Sequence, residues 1–369
     1  MPKILFVTTS FENGAIPNIL SDLAPFLKAE GWNLEALTLE RIPEEHASVK
    51  RWRGLGLALG SLNQSPRETL KTLKPLRDAI RQASPDLIHT HLGRADIYVP
   101  WVKGKTPQVS TFHSVRRNSG RLTQLGWKVS DGLVAHRTGV SQATLDSFYS
   151  DGFLRSPHSV IYNPVDGERL RQNRTRAQVL ACFGWQEPVR LLAAVGRLVP
   201  VKGHRDLLTA FAELAASDPQ LRLVIAGEGP LEDQLRQQIR SLGLEGQAVL
   251  SGAWEGVADL YHAAELLVFP SLWEGLGLVP LEALYCGCPV ASSRLPAVRE
   301  FLTEGVTGNF FEPADPKSLV LAVRKILEDP KGSRERAQRG AQMVQERFAP
   351  SKIAKEYEQV YKRVLENGR

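Results

Sequence analysis

Two glutamates, Glu274 and Glu282, stand eight residues apart in "PSLWEGLGLVPLEALYCGCPVASS", a run otherwise rich in Leu, Val and Ala. Gly275, Gly277 and Pro280 lie between them. A carboxylate accepts hydrogen bonds in directional pairs, which suits the vicinal hydroxyls of a sugar or ribose. "ELLVFPS" reads as a strand and "PLEALYCG" as the helix after it. Pro280 fits the first helical position, where a missing N–H costs nothing. Glu282 then falls in the first turn, beside the positive end of the helix dipole. Glu274 sits in the loop above the strand end, where Gly275 and Gly277 allow φ > 0 or a close backbone approach. Taken singly, both glutamates are ordinary, one a first-turn helix charge and the other a solvated loop residue.

A second strand-to-helix loop carries the opposite charge. "LLAAVGRLVPVKGHRDLLTAF" places Arg197 and Lys202 between a strand and a helix. A diphosphate needs compensating cations, and Arg supplies a planar fork while Lys supplies a point charge. The next helix N-terminus adds backbone donors. The loop is no P-loop, and "AGEGPLED" lacks the third glycine of a dinucleotide fingerprint.

These loops need strands to hold them. "KILFVT", "NLEALTL", "DLIHTH", "QVSTF", "GLVAHRTGV" and "SVIYN" read as strands, with helices over Pro17–Glu30, Pro66–Ala83 and Ser141–Tyr149. A second series, "VRLLAAVGR", "LRLVIAG", "AVLSG", "LLVFPS" and "PVASS", alternates with helices over Arg205–Ala216, Leu231–Leu242, Val257–Ala263 and Leu281–Tyr285. Apolar strands alternating with helices predict parallel sheets covered on both faces. The pattern occurs twice, with a break near 163–187, and 369 residues exceed one ordinary core. Ligands of such sheets bind at the carboxyl ends of the strands. The final run, "PSKIAKEYEQVYKRVLE", is a helix with no strand after it, expected to pack back across the lobes.

Hydrophobic residues make up 43% and charged residues 23%, a globular balance. There is no long uncharged apolar run, and "MPKILFVTTS" reads as a buried strand rather than a leader, so a cytosolic protein is expected. Cys182, Cys286 and Cys288 are too few for a zinc knuckle or a disulfide framework and are expected to be buried or half-buried. His89 and His91 share a strand face without an evident third ligand, so packing is expected of them and no metal. No D-x-D occurs, so the cations replace a metal in this reading.

The formal net charge is +6, all of it in the first half: residues 1–165 hold 20 Lys and Arg against 14 Asp and Glu. An anionic partner is implied. Arg67, Lys71, Lys74, Arg77 and Arg81 form one stripe at helical spacing. Upstream, Arg51, Trp52 and Arg53 precede an exposed-looking Leu/Gly run, "GLGLALG". Together they suggest an acceptor site or an interfacial surface for anionic lipid. Nucleic acid is not expected, because no aromatic platforms interleave the charges.

"GRLVPVKG", "IAGEGPLEDQL", "VFPSLWEGLGLVPLEAL" and "CGCPVASS" resemble, in order and spacing, the retaining GT-B glycosyltransferases of family 4, the group 1 enzymes; "HTHLG", "STFHS", "GVSQAT" and "IYNPVD" fit as well. The resemblance spans nearly the whole chain. It implies an α/β fold of two Rossmann-like doubly wound domains facing across a cleft. Residues 1–165 would bind the acceptor and 166–349 the nucleotide-sugar, with 350–369 the returning helix. It implies transfer of a hexose-type sugar from a nucleotide diphosphate, expected to be UDP, to a hydroxyl that is lipid-linked or part of a cell-envelope glycan. Glu274 would contact the transferred sugar and Glu282 the ribose, while Arg197 and Lys202 would neutralise the diphosphate. His113 would stand near the donor sugar and assist catalysis, and Gly14, Gly275, Gly277 and Leu278 would complete the donor site. Where the family has a Gly-Gly loop, this chain has Asn13-Gly14-Ala15, and "SSRLPAVREFL" lacks a second glycine pair but keeps Glu300. No cofactor is implied. A nucleotide-sugar epimerase of the same fold, or a non-catalytic carbohydrate- or lipid-binding protein, is the alternative. The enzyme would be cytoplasmic, either free or peripheral on the membrane.

Overall fold

In the computed structural model, residues 1–12, 14–65, 70–91 and 93–367 are described. Contacts divide the chain into two units, Met1–Pro164 with Phe348–Arg369, and Val165–Arg347.

The first unit is built on seven parallel strands: β1 (Lys3–Thr8), β2 (Asn33–Thr38), β3 (Ala58–Ser61), β4 (Leu87–His91), β5 (Gln108–Phe112), β6 (His136–Gly139) and β7 (His158–Val160). Their order is β3-β2-β1-β4-β5-β6-β7. β1 and β4 pair in register from Ile4 opposite Leu87 to Thr8 opposite His91. The helices are α1 (Ala15–Ala29), α2 (Ala47–Gly54), α3 (Leu73–Ala83), α4 (Gly93–Val102), α5 (Arg121–Ser130) and α6 (Gln142–Tyr149). The C-terminal helix, Pro350–Asn367, packs on α1 and belongs to this unit. Ile4, Leu5, Phe6 and Val7 are all buried, as expected of a strand covered on both faces.

The second unit carries β8 (Arg190–Val195), β9 (Leu221–Ala226), β10 (Ala248–Gly252), β11 (Leu266–Phe269), β12 (Val290–Ser293) and β13 (Asn309–Phe311), in the order β10-β9-β8-β11-β12-β13. Around them lie α7 (Arg176–Ala181), α8 (His204–Ser217), α9 (Glu232–Ser241), α10 (Val257–Ala263), α11 (Leu278–Tyr285), α12 (Pro316–Glu328) and α13 (Pro330–Arg347). Leu192, Leu208, Phe211, Leu223, Ile225 and Val268 are buried together in one apolar cluster of this unit. In each sheet the chain reverses direction beside its first strand, between β1 and β4 and between β8 and β11. That reversal opens a crevice at the carboxyl ends, the usual ligand position of doubly wound sheets.

Several expectations are corrected. Trp52 is fully buried: its ring meets Phe6 and Phe11 edge-on, and its Nε1 donates to the Ala58 carbonyl at 3.0 Å. It cannot anchor a membrane interface, which requires the ring at the surface. The Leu/Gly run beside it contains β3, an edge strand paired with β2. Arg51 is bound to the buried Asp22, and Arg53 pairs with Glu44 at 2.5 Å. Of the helix expected over 66–83, residues 66–69, Arg67 among them, lie outside the described residues; Leu70–Thr72 is a 3₁₀ turn and Leu73–Ala83 is α-helical. Lys71, Lys74, Arg77 and Arg81 are exposed, over buried Leu76 and Ile80. Cys182 is exposed, because it caps the end of α7 rather than facing the core. Cys288 is buried and Cys286 half-buried.

Candidate active site

Within the second unit the two loops that flank the reversal are stitched together. The Leu272 N–H donates to the Val201 carbonyl at 2.8 Å, which joins the loop after β11 to the loop after β8. Gly203 has φ 65°, and a Cβ there would lie 2.0 Å from the Pro270 carbonyl oxygen, so only glycine permits this approach. Across the junction Lys202 Nζ meets Glu274 Oε1 at 2.5 Å. Both side chains are about five-sixths buried, at 17% and 16% exposed, so this is a sheltered pair rather than a surface one. Lys202 also lies over the Phe269 ring. Arg197 follows β8 and is exposed at the same strand ends.

Glu282 differs from expectation in position. Gly277, at φ 99°, caps α11, which starts at Leu278. Pro280 is therefore the third helical residue, still among the N–H groups that lack an intrahelical acceptor. Glu282 falls in the second turn, nearly buried, and no acid occupies the first. Its Oε2 accepts from the Tyr261 hydroxyl at 3.3 Å, and its Oε1 faces Arg169 at 3.6 Å. Burial, and then the negative charge of Glu282, push the Tyr261 phenol well up, so it stays a donor. Gly275 is buried, and Leu278 half-buried. Glu300 is half-buried in the 3₁₀ turn Val298–Glu300, and its carbonyl accepts from Arg347 at 3.2 Å.

In the first unit the strand ends hold imidazoles. His113 directly follows β5, with its Nε2 2.9 Å from His91 Nδ1. The rings of His89 and His91 lie 4.1 Å apart, on one face as the spacing predicts. His89 is tied at 2.7 Å to Tyr361 of the C-terminal helix through Nδ1 and at 2.7 Å to Thr111 through Nε2. Burial pushes His113 down to about 4, and it pushes His89 and His91 well below the ordinary histidine value, with neighbouring histidines adding to the effect. All three are neutral at pH 7, so the His91–His113 contact has one ring donating and the other accepting. Gly14 is the exposed N-cap of α1, with an extended backbone any residue can adopt. Asn13 lies outside the described residues.

The structure thus joins Lys202 to Glu274 directly. Glu282 is set one helix turn further along the same segment, and His113 belongs to the other unit. Sequence reasoning missed Tyr261, Arg169 and Tyr361. Arg169 lies in "NPVDGERL", which reads as a charged linker. The pair Tyr357 and Tyr361, one turn apart on an otherwise charged helix, was the available signal for a buried polar contact. Among the described residues, no group of three or more His, Cys, Asp or Glu is placed to hold a metal ion. No helix among them is long and apolar enough to cross a membrane.

The glycosyl transferases group 1 model matches residues 181–343, and the glycosyltransferase family 4 model matches residues 17–169. The N-acetyl-alpha-D-glucosaminyl L-malate synthase of Bacillus anthracis is 25% identical over 324 residues, covering 84% of this chain and 83% of that protein. The glycogen synthase of Mycobacterium tuberculosis is 30% identical over 312 residues, covering 76% and 69%. Among solved structures, Anabaena HepE in complex with UDP and glucose superposes with a TM-score of 0.85 at 22% identity, over 98% of this chain and all of that one. The sucrose-phosphate synthase of Thermosynechococcus elongatus gives 0.82 at 21% identity over 100% of both chains. The architecture is therefore the GT-B fold, and the chain belongs to the group 1, family 4 glycosyltransferases.

Proposed function

We propose that this glycosyltransferase moves a hexose-type sugar from UDP to an acceptor hydroxyl with retention of anomeric configuration. The observation that carries the reading is the sheltered Lys202–Glu274 pair at the sheet reversal of the second unit, with Arg197 on the same strand ends. In this reading the donor diphosphate takes Arg197 and Lys202 as its counter-charges. Glu274, released from its lysine, accepts from hydroxyls of the sugar. Glu282, oriented by Tyr261 and Arg169, accepts from the ribose. UDP as carrier is supported by Anabaena HepE, solved with UDP and with UDP-glucose.

The bond from the anomeric carbon to the β-phosphate oxygen breaks as the acceptor oxygen bonds the same face of that carbon, and the departing phosphate takes the acceptor proton. Arg197 and Lys202 stabilise the charge left on the diphosphate, where fixed cations in a sheltered site act most strongly. They supply that charge without a metal ion in this reading. His113, a neutral imidazole, serves as a hydrogen-bonding group to the sugar. The acceptor is carried on a lipid or belongs to a cell-envelope glycan, with the enzyme working from the cytoplasmic side at the membrane. The basic excess of the first 165 residues supports this part.

The test is a screen of UDP-, GDP- and ADP-sugars for slow hydrolysis without acceptor, with NMR of the first-formed sugar anomer. UDP-sugar consumption with retained configuration is expected. Isomerised nucleotide-sugar would indicate an epimerase, and no turnover of any donor would indicate a binding protein.

A further inference from the structure

Apart from Met1 and Phe26, the exposed large apolar side chains of the first unit gather on or beside one pair of helices. On α5, Leu122, Leu125 and Val129 are 86%, 57% and 58% exposed. Their spacing of three and four makes one stripe. α5 packs on α4 along the flank next to this stripe: Gly126, one turn from Leu122 and Val129, would place a Cβ 2.9 Å from Ile97 of α4, and Trp127 beyond it is buried. Gly93 faces Thr123 in the same way, so the α4 row Gly93, Ile97, Trp101 runs alongside α5. This register carries Trp101 to the C-terminal end of the stripe. Trp101 is 53% exposed, whereas Trp32, Trp52 and Trp127 of the same unit are buried. Leu133, just beyond α5, is exposed as well.

Between the buried Asp96 and the half-buried Asp131 the charge along the chain has one sign. Residues 97–130 contain Lys103, Lys105, Arg116, Arg117, Arg121 and Lys128 and no Asp or Glu, so this stretch alone equals the formal +6 of the whole chain. Arg116 is bound to Asp151 across a neighbouring loop, and Lys103 is half-buried. Lys105, Arg117, Arg121 and Lys128 are exposed. Arg121 and Lys128, two turns apart, form a basic row beside the apolar stripe. A second protein chain would be expected to meet such a face with acids, but a lipid surface meets it with phosphate over hydrocarbon.

We propose that the outer face of α4 and α5 docks on an anionic lipid bilayer, with Leu122, Leu125, Val129 and Trp101 entering the interface and Lys105, Arg117, Arg121 and Lys128 binding headgroup phosphates. This inference rests on the membrane reading of the preceding section and names its surface. It displaces Trp52, which is core, and competes with the basic stripe of α3.

The experiment is flotation of the full chain with phosphatidylcholine vesicles, with and without roughly one-third phosphatidylglycerol. Four proteins are compared: wild type, Leu122→Ser/Leu125→Ser/Val129→Ser, Arg121→Glu/Lys128→Glu, and Lys74→Glu/Arg77→Glu/Arg81→Glu. Wild type is expected on anionic vesicles, weakening with salt. Both α5 variants are expected to lose at least about tenfold in binding, and the α3 variant little. Because the substituted side chains are exposed, thermal unfolding and acceptor-free donor hydrolysis should stay at wild-type values in all four. Wild-type binding that survives both α5 changes overturns the surface and leaves the membrane reading standing. Loss only in the α3 variant moves the site to α3. No wild-type binding to either vesicle overturns the membrane reading itself. A wild-type dimer that the α5 changes render monomeric, without vesicle binding, assigns the face to a second copy of the chain and overturns the proposal.

Discussion

The two units share one plan, a parallel sheet whose chain reverses beside its first strand, yet their strand ends carry opposite kinds of chemistry. In the second unit the reversal holds full charges in contact, Lys202 against Glu274, with Arg197 nearby and Glu282 held by Tyr261 and Arg169. In the first unit the strand ends hold uncharged rings and hydroxyls: His89, His91, His113 and Thr111, closed off by Tyr361. Burial separates the cases. Lys202 and Glu274 lie against each other as a salt bridge, whereas a buried imidazole with no acid beside it gives up its proton. In the proposed reading one unit meets the ionic part of the donor, and the other offers polar but neutral groups. The fold is common to both, so the division of labour lies in which side chains the strand-end loops present.

Substitutions can break this contrast. The largest effect is expected from Lys202→Ala, which removes a fixed cation from the proposed diphosphate site. Turnover should fall on the order of 100-fold, measured as donor hydrolysis and transfer. Glu274→Ala should also cost at least about tenfold in turnover. Full activity in either variant would show that the charged unit does not do the chemistry. His113→Ala is expected to lower transfer about tenfold while leaving UDP affinity, measured by calorimetry, unchanged. An equal loss of UDP affinity would erase the distinction between the units.

The contrast also predicts an asymmetric response to acid. His113 and His136 are pushed down to about 4 by burial, and His89 and His91 lie well below their ordinary value. The unfolded chain therefore binds more protons, and these groups contribute stability that is present above about pH 6.5 and lost as pH falls toward 4. Asp96, raised by burial to about 6, and Glu356, also raised by burial, act in the opposite sense in the same unit, as two groups against four. The second unit has His204, also near 4 through burial. Limited proteolysis with mass spectrometry at pH 7 and pH 5 should show the first unit opening first. Earlier opening of the second would contradict the burial argument. The smallest effect is expected from Tyr361→Phe, which removes one buried hydrogen bond to His89. A loss of about 1–3 kcal/mol in chemical denaturation is expected, with unchanged donor hydrolysis.

Legibility in the sequence followed the source of each element's stability. β1, β8 and β9 are continuous apolar runs, and their bounds were readable because burial on both faces dictates the residues. β3, "ALGS", and β13, "NFF", were not, since short strands of small or few residues draw their order from a neighbour. α4, which contains Pro100, and α5, which contains Gly126, were not anticipated from the sequence, since Pro and Gly disfavour a helix interior. Gly126 instead makes the contact with Ile97, and Pro100 sits in the last turn. The acidic and basic loops were legible because their charges follow strand ends. Their joining through Lys202 and Glu274 was not, since it depends on Gly203 closing against Pro270, a contact made only in three dimensions. Trp52 misled because a basic neighbourhood in sequence says nothing of where the ring turns. Its partners Phe6 and Phe11 lie more than forty residues upstream.

A crystal structure of the protein with bound UDP tests the central claim most directly. The account predicts the diphosphate within hydrogen-bonding distance of Arg197 and Lys202, the ribose hydroxyls at Glu282, and Lys202 drawn away from Glu274. A nucleotide bound elsewhere, with the Lys202–Glu274 pair undisturbed, would contradict it.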